Sequence, residues 1–370
     1  MERHSHRRLI LMDLSRFERI WCAQVFLRDF VLIYPTYAIY MQQHGVDPLE
    51  LGILFTIWSA SSLLLEVPSG ALADRYSRKT LLMISGVVGA AAFCFWALVP
   101  SFWGFALGFV VWSIGSSLVS GTSEAYLHDF LHNQGQAHAF ERVYGRGEAA
   151  ESIGTALALL LGGWLAEGGY FWPLVLSIAA PLLSMALIGF ALSEPPRGDE
   201  QDEEQAGYFA TLAAGVREAG HSKALRGVLI IFAMVVAAPY VLEEYLGVLL
   251  FDAEFSLTAV GIAFAGIWAA RSFGLALAHR LAGWSLGRIV RGFAIGGVVL
   301  SLTAFVPALG AAFCLAIAFF ISGAMEVLLQ GHLQRAMDGS ARATVTSVMS
   351  MVMEISAVAL FLGVGIAQQH

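Results

Sequence analysis

Ionisable side chains interrupt several of the long apolar stretches of this 370-residue chain. The members of this set are Arg28, Asp29, Glu243, Glu244, Arg271, Glu326 and Glu354. A charge placed in an apolar phase costs about 3 kcal/mol even on lenient scales, so each group marks a candidate functional site. Burial favours the neutral form of a carboxylate, which suits such a group to take up and release protons. Asp29 and Glu326 are our first candidates for that role.

The two arginines of this set allow two interpretations. Either arginine binds an anionic group of a ligand, or it neutralises a carboxylate of the chain. The carboxylates available for such a pair are Asp29, Glu326 and Glu354. The ion pair is the favoured interpretation, because an unpaired buried charge is the costlier state.

A second group of polar residues recurs at three- and four-residue steps, the spacing of one face of an α-helix. Its members are Ser113, Ser116, Ser117, Ser120, Glu124 and His128, and a weaker series comprises Ser347, Ser350 and Glu354. Such a stripe on an apolar helix either lines a polar cavity or forms hydrogen bonds between helices, and the spacing leaves both open. We assign Ser117 to a cavity, together with Tyr37 and Tyr240 from other apolar stretches.

The elements that carry these residues are long apolar helices. Hydrophobic residues make up 58% of the chain and charged residues 13%, about half the charged share of a soluble protein. A membrane-spanning helix needs about 20 predominantly apolar residues. The stretches that meet this requirement are 20–41, 49–69, 80–99, 102–127, 146–166, 170–192, 225–250, 257–281, 288–307, 309–333 and 343–366. The sequence therefore predicts an all-α membrane protein with eleven spans.

Lysine and arginine lie almost entirely on one side of these predicted spans. Arg28 and Arg271 lie inside spans, whereas the remaining nineteen fall at the N-terminus, at the even-numbered connections or close to the helix ends that border them. The other connections have no lysine or arginine and carry Asp47, Glu167, Asp252 and Glu254. Because positive charge marks the cytoplasmic side, we expect a multi-pass protein of the bacterial inner membrane with a cytoplasmic N-terminus.

An acidic segment at 194–222 divides the chain into two stretches that echo each other. The matching positions are Ala71–Arg75 with Ala276–Arg280, Ser120–Glu124 with Ser322–Glu326, Pro35 with Pro239, and Glu151 with Glu354. We therefore expect an N-terminal six-helix bundle at 1–193, a cytoplasmic acidic linker at 194–222 and a C-terminal bundle at 223–370. The nearly constant offset places a twelfth helix beyond His370, and we expect that the sequence is truncated there.

Several other classes of protein are disfavoured by what the sequence lacks. The cysteines Cys22, Cys94 and Cys314 are widely separated and predict neither a disulfide framework nor a metal site. The chain has no HExxH or GxSxG motif and no phosphate-binding loop, so we expect neither an enzyme nor a cofactor. No basic patch lies away from the predicted cytoplasmic rim, which argues against nucleic-acid binding.

The connection between the second and third predicted spans reads Gly70-Ala-Leu-Ala-Asp-Arg-Tyr-Ser-Arg-Lys79. It resembles the signature of the major facilitator superfamily for this loop, except that Ser77 stands where the family usually has glycine. The matching residues are Gly70, Leu72, Ala73, Asp74, Arg75, Arg78 and Lys79. The resemblance implies two pseudo-symmetric six-helix bundles, with helices 1, 4, 7 and 10 around a central cavity. It also implies that Asp74, Arg75 and Arg78 act in a cytoplasmic gate.

Other residues near the predicted cytoplasmic helix ends are assigned to the same gate. This wider set is Glu66, Gly70, Glu124, Asp129, Arg142, Arg146 and Glu151. We expect its acidic members to form salt bridges with Arg75, Arg142 or Arg146.

The resemblance implies a monomeric secondary transporter, surrounded by lipid, that moves a small organic solute by alternating access. We expect coupling to protons and export of the solute. Helix 4 lacks a basic residue midway, and helix 5 has Gly154, Gly162 and Gly163 without the proline of the family's Gly-Pro-Gly-Gly element. Both departures weaken the case for a drug/proton antiporter. Proton-coupled uptake or facilitated diffusion is an alternative, and a receptor or sensor that has kept the fold is an alternative of another class.

Overall fold

A computed structural model describes residues 13–194, 223–336 and 342–368, and its regular structure is helical throughout these ranges. The helices before residue 194, which we call the N-half, are α1 (Leu14–Arg28), α2 (Tyr37–Gln43), α3 (Pro48–Arg75), α4 (Arg78–Leu98), α5 (Phe102–Val119), α6 (Thr122–Asn133), α7 (Phe140–Ala166) and α8 (Phe171–Ala191). The helices after residue 222, which we call the C-half, are α9 (Lys223–Asp252), α10 (Leu257–Leu277), α11 (Leu286–Ser301), α12 (Ala308–Ala336) and α13 (Arg342–Ala367). The prediction of an all-α protein is confirmed. Residues 195–222 of the predicted linker lie outside the described residues.

Eight helical segments among the described residues are long and apolar enough to cross a membrane. The other three predicted spans are divided or are described only in part. The first span is divided between α1 and α2, and the side chains described for α9, the seventh, begin at Val236 and include Glu243 and Glu244 in its second half. The eleventh contributes only a shorter apolar part, Met351–Ala367, to the part of the chain whose side chains are described.

Two predicted spans are each interrupted by a short non-helical break. Between α1 and α2 the chain leaves the helical conformation at Asp29 and resumes it at Tyr37. Pro35 lies in this break, where it has no N–H for the helical ladder and restricts the residue before it. Between α5 and α6, Gly121 adopts a φ of +69°, a left-handed conformation that favours glycine. Both breaks leave backbone and polar side chains in the interior, where the ionisable groups of the N-half lie.

The two ends of the molecule differ in charge. One end, which we call the basic end, carries Arg75, Arg78 and Lys79 between α3 and α4, and Arg288 and Arg291 in the first turns of α11. The other, which we call the opposite end, holds acidic connections at Asp47, Glu167 and Asp252.

The N-half and the C-half meet through close helix crossings toward the opposite end. A Cβ added to Gly261 of α10 would lie 2.5 Å from the carbonyl oxygen of Leu159 in α7. A Cβ added to Gly52 of α3 would lie 2.6 Å from the carbonyl oxygen of Phe361 in α13. Small residues allow helix backbones to approach this closely in a membrane. These crossings close the opposite end of the interface between the halves.

Candidate functional site

A cavity of about 180 Å³ lies between the N-half and the C-half, on the inner side of these crossings. Seven aromatic side chains line it, namely Tyr34, Tyr37, Trp58, Phe109, Trp112, Phe264 and Trp268. Thr155 and Leu159 of α7 and the carboxylates Glu243 and Glu244 of α9 complete its lining. The cavity therefore combines a large aromatic surface with two acidic groups.

The two carboxylates of the cavity have different partners, because adjacent residues on a helix point about 100° apart. Glu244 accepts a hydrogen bond from the hydroxyl of Tyr37 in α2, which is a contact between the halves. Glu243 faces the other way, toward Arg271 and the indole of Trp268 in α10. Of the predicted cavity residues, Tyr37, Glu243 and Glu244 thus lie on this cavity.

Arg271 lies on α10 within ion-pair distance of a neighbouring helix. Its Nη2 lies 2.8 Å from Oε2 of Glu326 on α12, and the Glu326 side chain is only 16% exposed. Glu243 lies close enough to Arg271 for an electrostatic interaction between the carboxylate and the guanidinium group. Arg271 therefore pairs with Glu326 and lies near Glu243, as the ion-pair interpretation expects, and neither Arg271 nor Glu326 lines the central cavity.

A second cavity of about 260 Å³ lies within the N-half and contains Arg28, Asp29 and Glu151. Arg28 lies 3.0 Å from Oδ2 of Asp29 and 2.6 Å from Oε2 of Glu151, and its Nη1 is 3.4 Å from the hydroxyl oxygen of Ser123. Ser116 and Ser120 of the polar stripe and Tyr34 also line this cavity. Because Tyr34 borders both cavities, the N-half charges lie directly behind the central site.

The expected salt bridge of Glu151 with Arg75, Arg142 or Arg146 is wrong. The structure places Glu151 beside Arg28 instead. The reason is the length of α7, which begins at Phe140 rather than near residue 146. At about 1.5 Å per residue, Glu151 lies about 16 Å from the start of this helix, well away from the basic end.

The salt bridges expected for Glu124 and Asp129 with Arg75, Arg142 or Arg146 are wrong too, because both carboxylates have other partners within the N-half at the basic end. Arg78 forms an ion pair with Asp129, and its Nη1 donates a hydrogen bond to the carbonyl oxygen of Ala125 at 3.2 Å. Glu124 accepts a hydrogen bond from the Tyr144 hydroxyl at 3.1 Å. Arg75 is exposed and lies over the ring of Tyr76, at 5.9 Å from its centroid. The side chains of Glu66 and Asp74, and the surroundings of Gly70, lie outside the described residues.

Arg142 and Arg146 share a partner that the sequence analysis missed. Both contact Glu18 of α1, with Arg146 the closer and Arg142 at 3.8 Å. The Glu18 side chain is only 9% exposed, so the pair is held between α1 and α7. Glu18 lies before the first predicted apolar stretch, where a charged residue carries no sequence signal of burial.

The polar stripe begins on α5, where its first member, Ser113, forms hydrogen bonds with another helix. The hydroxyl of Ser113 donates to the carbonyl oxygen of Trp58 on α3 at 3.1 Å, and Ser62 donates to Ser113 at 3.1 Å. Ser117 donates to the carbonyl oxygen of Ser113 in its own helix at 2.7 Å and does not line either cavity. Both alternatives for the stripe therefore occur, because Ser116 and Ser120 line the N-half cavity.

The last two predicted cavity residues lie around the central cavity without lining it. Glu354 of α13 accepts a hydrogen bond from the hydroxyl of Ser59 on α3, which is a second polar contact between the halves. The ring of Tyr240 on α9 stacks on Trp58 with the centroids 6.1 Å apart. Sequence analysis missed most of the aromatic lining, since a tryptophan in an apolar stretch has the same pattern whether it faces lipid or a cavity.

Comparison with known proteins gives a consistent picture. The family model described as Major Facilitator Superfamily matches residues 23–360. A maltose permease of Geobacillus stearothermophilus is 24% identical over 238 residues, which cover 64% of this chain and 57% of that protein. The uncharacterized MFS-type transporter YxaM of Bacillus subtilis (strain 168) is 28% identical over 93 residues, which cover 25% of this chain and 23% of that protein. The matched region thus spans less than two thirds of the length of these curated relatives.

Solved structures share the fold over most of the chain. A bacterial homologue of the human lysosomal transporter Spinster, in an inward-facing and unoccupied conformation, superposes with a TM-score of 0.74 at 19% identity. The superposition covers 94% of this chain and 80% of that structure. The nucleoside transporter NupG has a TM-score of 0.72 at 15% identity, with 96% of this chain and 90% of that structure covered.

Proposed function

Because this chain belongs to the Major Facilitator Superfamily, we propose that it is a secondary active transporter that moves a small organic solute by alternating access. The observation that carries the proposal is the central cavity, which both halves line and which close crossings shut off at the opposite end. In alternating access, these crossings separate while the basic end closes around the same site.

The lining supports a solute with a ring or another apolar part. Seven aromatic side chains surround a space of about 180 Å³, and a buried aromatic surface favours apolar or flat groups. Glu243 and Glu244 supply the polar contacts that would orient such a solute. The relatives and structural neighbours are named as carriers of maltose and nucleosides, both of which contain rings.

Coupling to protons is supported by an excess of negative charge inside the spans. The charged groups described above that lie away from the ends of the spans contain the carboxylates of Asp29, Glu151, Glu243, Glu244, Glu326 and Glu354 and the guanidinium groups of Arg28 and Arg271. Negative charge in excess of its partners is costly in an apolar surrounding, and binding of protons relieves that cost. Asp29 and Glu326 remain the first candidates, and the geometry favours Glu244 from the same set, because its hydrogen bond with Tyr37 breaks when the halves separate.

The basic end is proposed to face the cytoplasm of a bacterial inner membrane, because lysine and arginine cluster there. The cavity is then closed on the outer side, and the N-terminus is cytoplasmic. We propose export as the direction of net transport, since a proton gradient directed inward can drive a solute outward through such a site. Uptake with protons is the second candidate, which the printed function of the maltose permease relative favours.

The proposal is tested by ligand binding followed by transport. Purified protein is first screened by thermal shift against sugars, nucleosides, amino acids, organic acids and amphiphilic amines. The compound that stabilises it is then assayed in inside-out vesicles with an imposed pH gradient. We expect accumulation inside these vesicles that requires an acidic interior and is accompanied by proton efflux. Binding without any solute flux would contradict transport and favour a receptor, and flux without proton movement would contradict coupling.

A further inference from the structure

A groove of about 590 Å³ runs along the outside of the C-half, apart from the central cavity and the N-half cavity. It lies between α10 and α11, and α12 forms its floor. Close packing of both helices on α12 shapes it, because Gly274 of α10 lies against the backbone of Phe320, and Gly292 of α11 lies against the side chain of Met325. The groove therefore belongs to the packed structure of the C-half.

Three guanidinium groups lie at the basic end of this groove. They belong to Arg280, in the short 3-10 helix Ala278–Leu281 that follows α10, and to Arg288 and Arg291 in the first turns of α11. Among the described residues that line the groove, none is a carboxylate. The first turn of α11 adds the positive end of its helix dipole to the same place. This part of the groove is suited to an anion such as a phosphate group.

The remainder of the groove is apolar and follows the helices toward the middle of the predicted membrane. Ile295 of α11 forms one edge and is 58% exposed, while Phe320 and Ile321 of α12 form the floor. A free phosphate would contact only the arginines. A molecule with a phosphate and a hydrocarbon chain would contact both parts.

We propose that this groove binds an anionic phospholipid, with its phosphate beside Arg280, Arg288 and Arg291 and an acyl chain along Ile295 and Phe320. The charge distribution supports this assignment. Three guanidinium groups lie at one end of an open apolar groove, and in the predicted orientation this end lies at the level of the bilayer headgroups. The proposal does not depend on which solute the central cavity carries.

The charge of the groove is tested by lipid binding to the purified full chain in detergent, followed by native mass spectrometry. Wild-type protein is expected to bind phosphatidylglycerol about tenfold more tightly than phosphatidylcholine. The double variant Arg288→Gln/Arg291→Gln is expected to lose that preference. The matched control is Arg16→Gln/Arg19→Gln, which removes two exposed arginines with the same spacing from α1 at the same end, and it is expected to keep the preference.

The apolar part is tested by two substitutions on α11 that leave the net charge unchanged. Ile295→Asn is expected to weaken phosphatidylglycerol binding about fivefold, whereas Val298→Asn, at an equally exposed site outside the groove, leaves it unchanged. Equal effects of the two arginine pairs, or of the two asparagine variants, would show non-specific association and overturn the proposal. Displacement of the lipid by millimolar inorganic phosphate would overturn it too, because it would identify the anion alone as the ligand.

Discussion

The charged residues inside the spans are connected in pairs and triplets, and each group stays within one half. Arg28 holds Asp29 and Glu151 together in the N-half, and Arg271 holds Glu326 in the C-half. In contrast, the hydrogen bonds of Glu244 with Tyr37 and of Glu354 with Ser59 cross between the halves. Ion pairs within a half can persist while the halves move, whereas the crossing hydrogen bonds must break. We therefore expect the ion pairs to stabilise each half and the crossing hydrogen bonds to hold the two halves together.

The pair of Arg271 with Glu326 is expected to stabilise the C-half. Arg271→Gln should lower the free energy of unfolding by about 3 kcal/mol, because the Glu326 carboxylate then lies in an apolar surrounding without its partner. The double variant Arg271→Gln/Glu326→Gln should lose less than Arg271→Gln alone, since it leaves no uncompensated charge in the pair. Chemical unfolding in detergent measures both. Additive losses in the double variant would show that the two residues do not act as a pair.

The hydrogen bond of Tyr37 with Glu244 is expected to hold the opposite end closed. Tyr37→Phe should weaken closure by about 2 kcal/mol, because it leaves the buried Glu244 carboxyl without this hydrogen-bond donor. The readout is a single cysteine, Thr155→Cys, placed in the central cavity after replacement of the three native cysteines by serine. Labelling of this reporter by a membrane-impermeant maleimide added at the opposite end should become at least about tenfold faster.

The matched control for this variant is Tyr40→Phe. Tyr40 is also a buried tyrosine of α2, but its hydroxyl donates to the carbonyl oxygen of Trp96 within the N-half, at 3.0 Å. The Tyr40→Phe variant should lower the free energy of unfolding without changing the rate at which the Thr155→Cys reporter is labelled. Equal acceleration by both variants would indicate general loosening of α2 and would argue against a specific role of the bond with Glu244.

At the residue scale, the sequence predicted which side chains are unusual but not most of their partners. An arginine inside an apolar stretch is visible from composition alone, as Arg28 and Arg271 were. The contact of Arg28 with Glu151 joins residues 123 positions apart, and it depends on where α7 begins and on how α1 packs against it. Neither quantity is set by hydropathy, so Glu151 was placed at the wrong end of the span.

At the element scale, the crossing of α7 with α10 depends on glycine. A Cβ at position 261 would lie 2.5 Å from the carbonyl oxygen of Leu159 and 3.0 Å from Cα of Gly163, so the helices would have to separate. Gly261→Ala should therefore favour the form that is open at the opposite end and accelerate labelling of the Thr155→Cys reporter. Gly266→Ala, on the same helix with nothing within 4 Å of the added Cβ, should leave the rate unchanged. The prediction fails if the two variants behave alike.

A helix terminus contributes a second contact at the same place. Oε1 of Glu167, which follows α7, accepts a hydrogen bond from the N–H of Thr258 in the first turn of α10 at 2.9 Å. This bond holds the pKa of Glu167 below its usual value of about 4.3. A lowered pKa means that the contact is complete above that usual value and is lost only as the pH falls through the lowered one. The contact is therefore intact throughout the physiological range.

The variant Glu167→Gln should accelerate labelling of the Thr155→Cys reporter about twofold, because an exposed charge at a helix N-terminus contributes little. The ratio of the variant rate to the wild-type rate should be constant between pH 8 and pH 5, since Glu167 remains ionised over that range. A ratio that falls to one near pH 6 would show that Glu167 takes up its proton there, against the direction of its pKa shift.

The spans themselves were easier to predict than their breaks. Length and hydropathy located eleven apolar stretches, because a helix that faces lipid must be apolar over about 20 residues. The breaks at Asp29–Thr36 and at Gly121 do not alter hydropathy, and they depend on Pro35 and on a left-handed glycine. A proline or glycine occurs in many unbroken membrane helices as well, so only the packing around these residues determines where a span is interrupted.

At the scale of the whole molecule, the described contacts between the halves lie in the part of the spans toward the opposite end. The crossing at Gly261, the crossing at Gly52 and the bond of Glu167 with Thr258 all belong to this region. At the basic end, the ion pairs of Arg78 and Arg146 join helices of the same half. We therefore expect the two halves to move as bodies about the central cavity, with opposite changes at the two ends.

The direct test measures both ends of the molecule by double electron–electron resonance. One spin-label pair, Gly168→Cys with Glu254→Cys, reports the distance between the halves at the opposite end. A second pair, His138→Cys with Gly283→Cys, reports it at the basic end. Introduction of Gly261→Ala should lengthen the first distance and shorten the second. A longer first distance with an unchanged second one would show local loosening, and it would contradict alternating access by movement of the two halves.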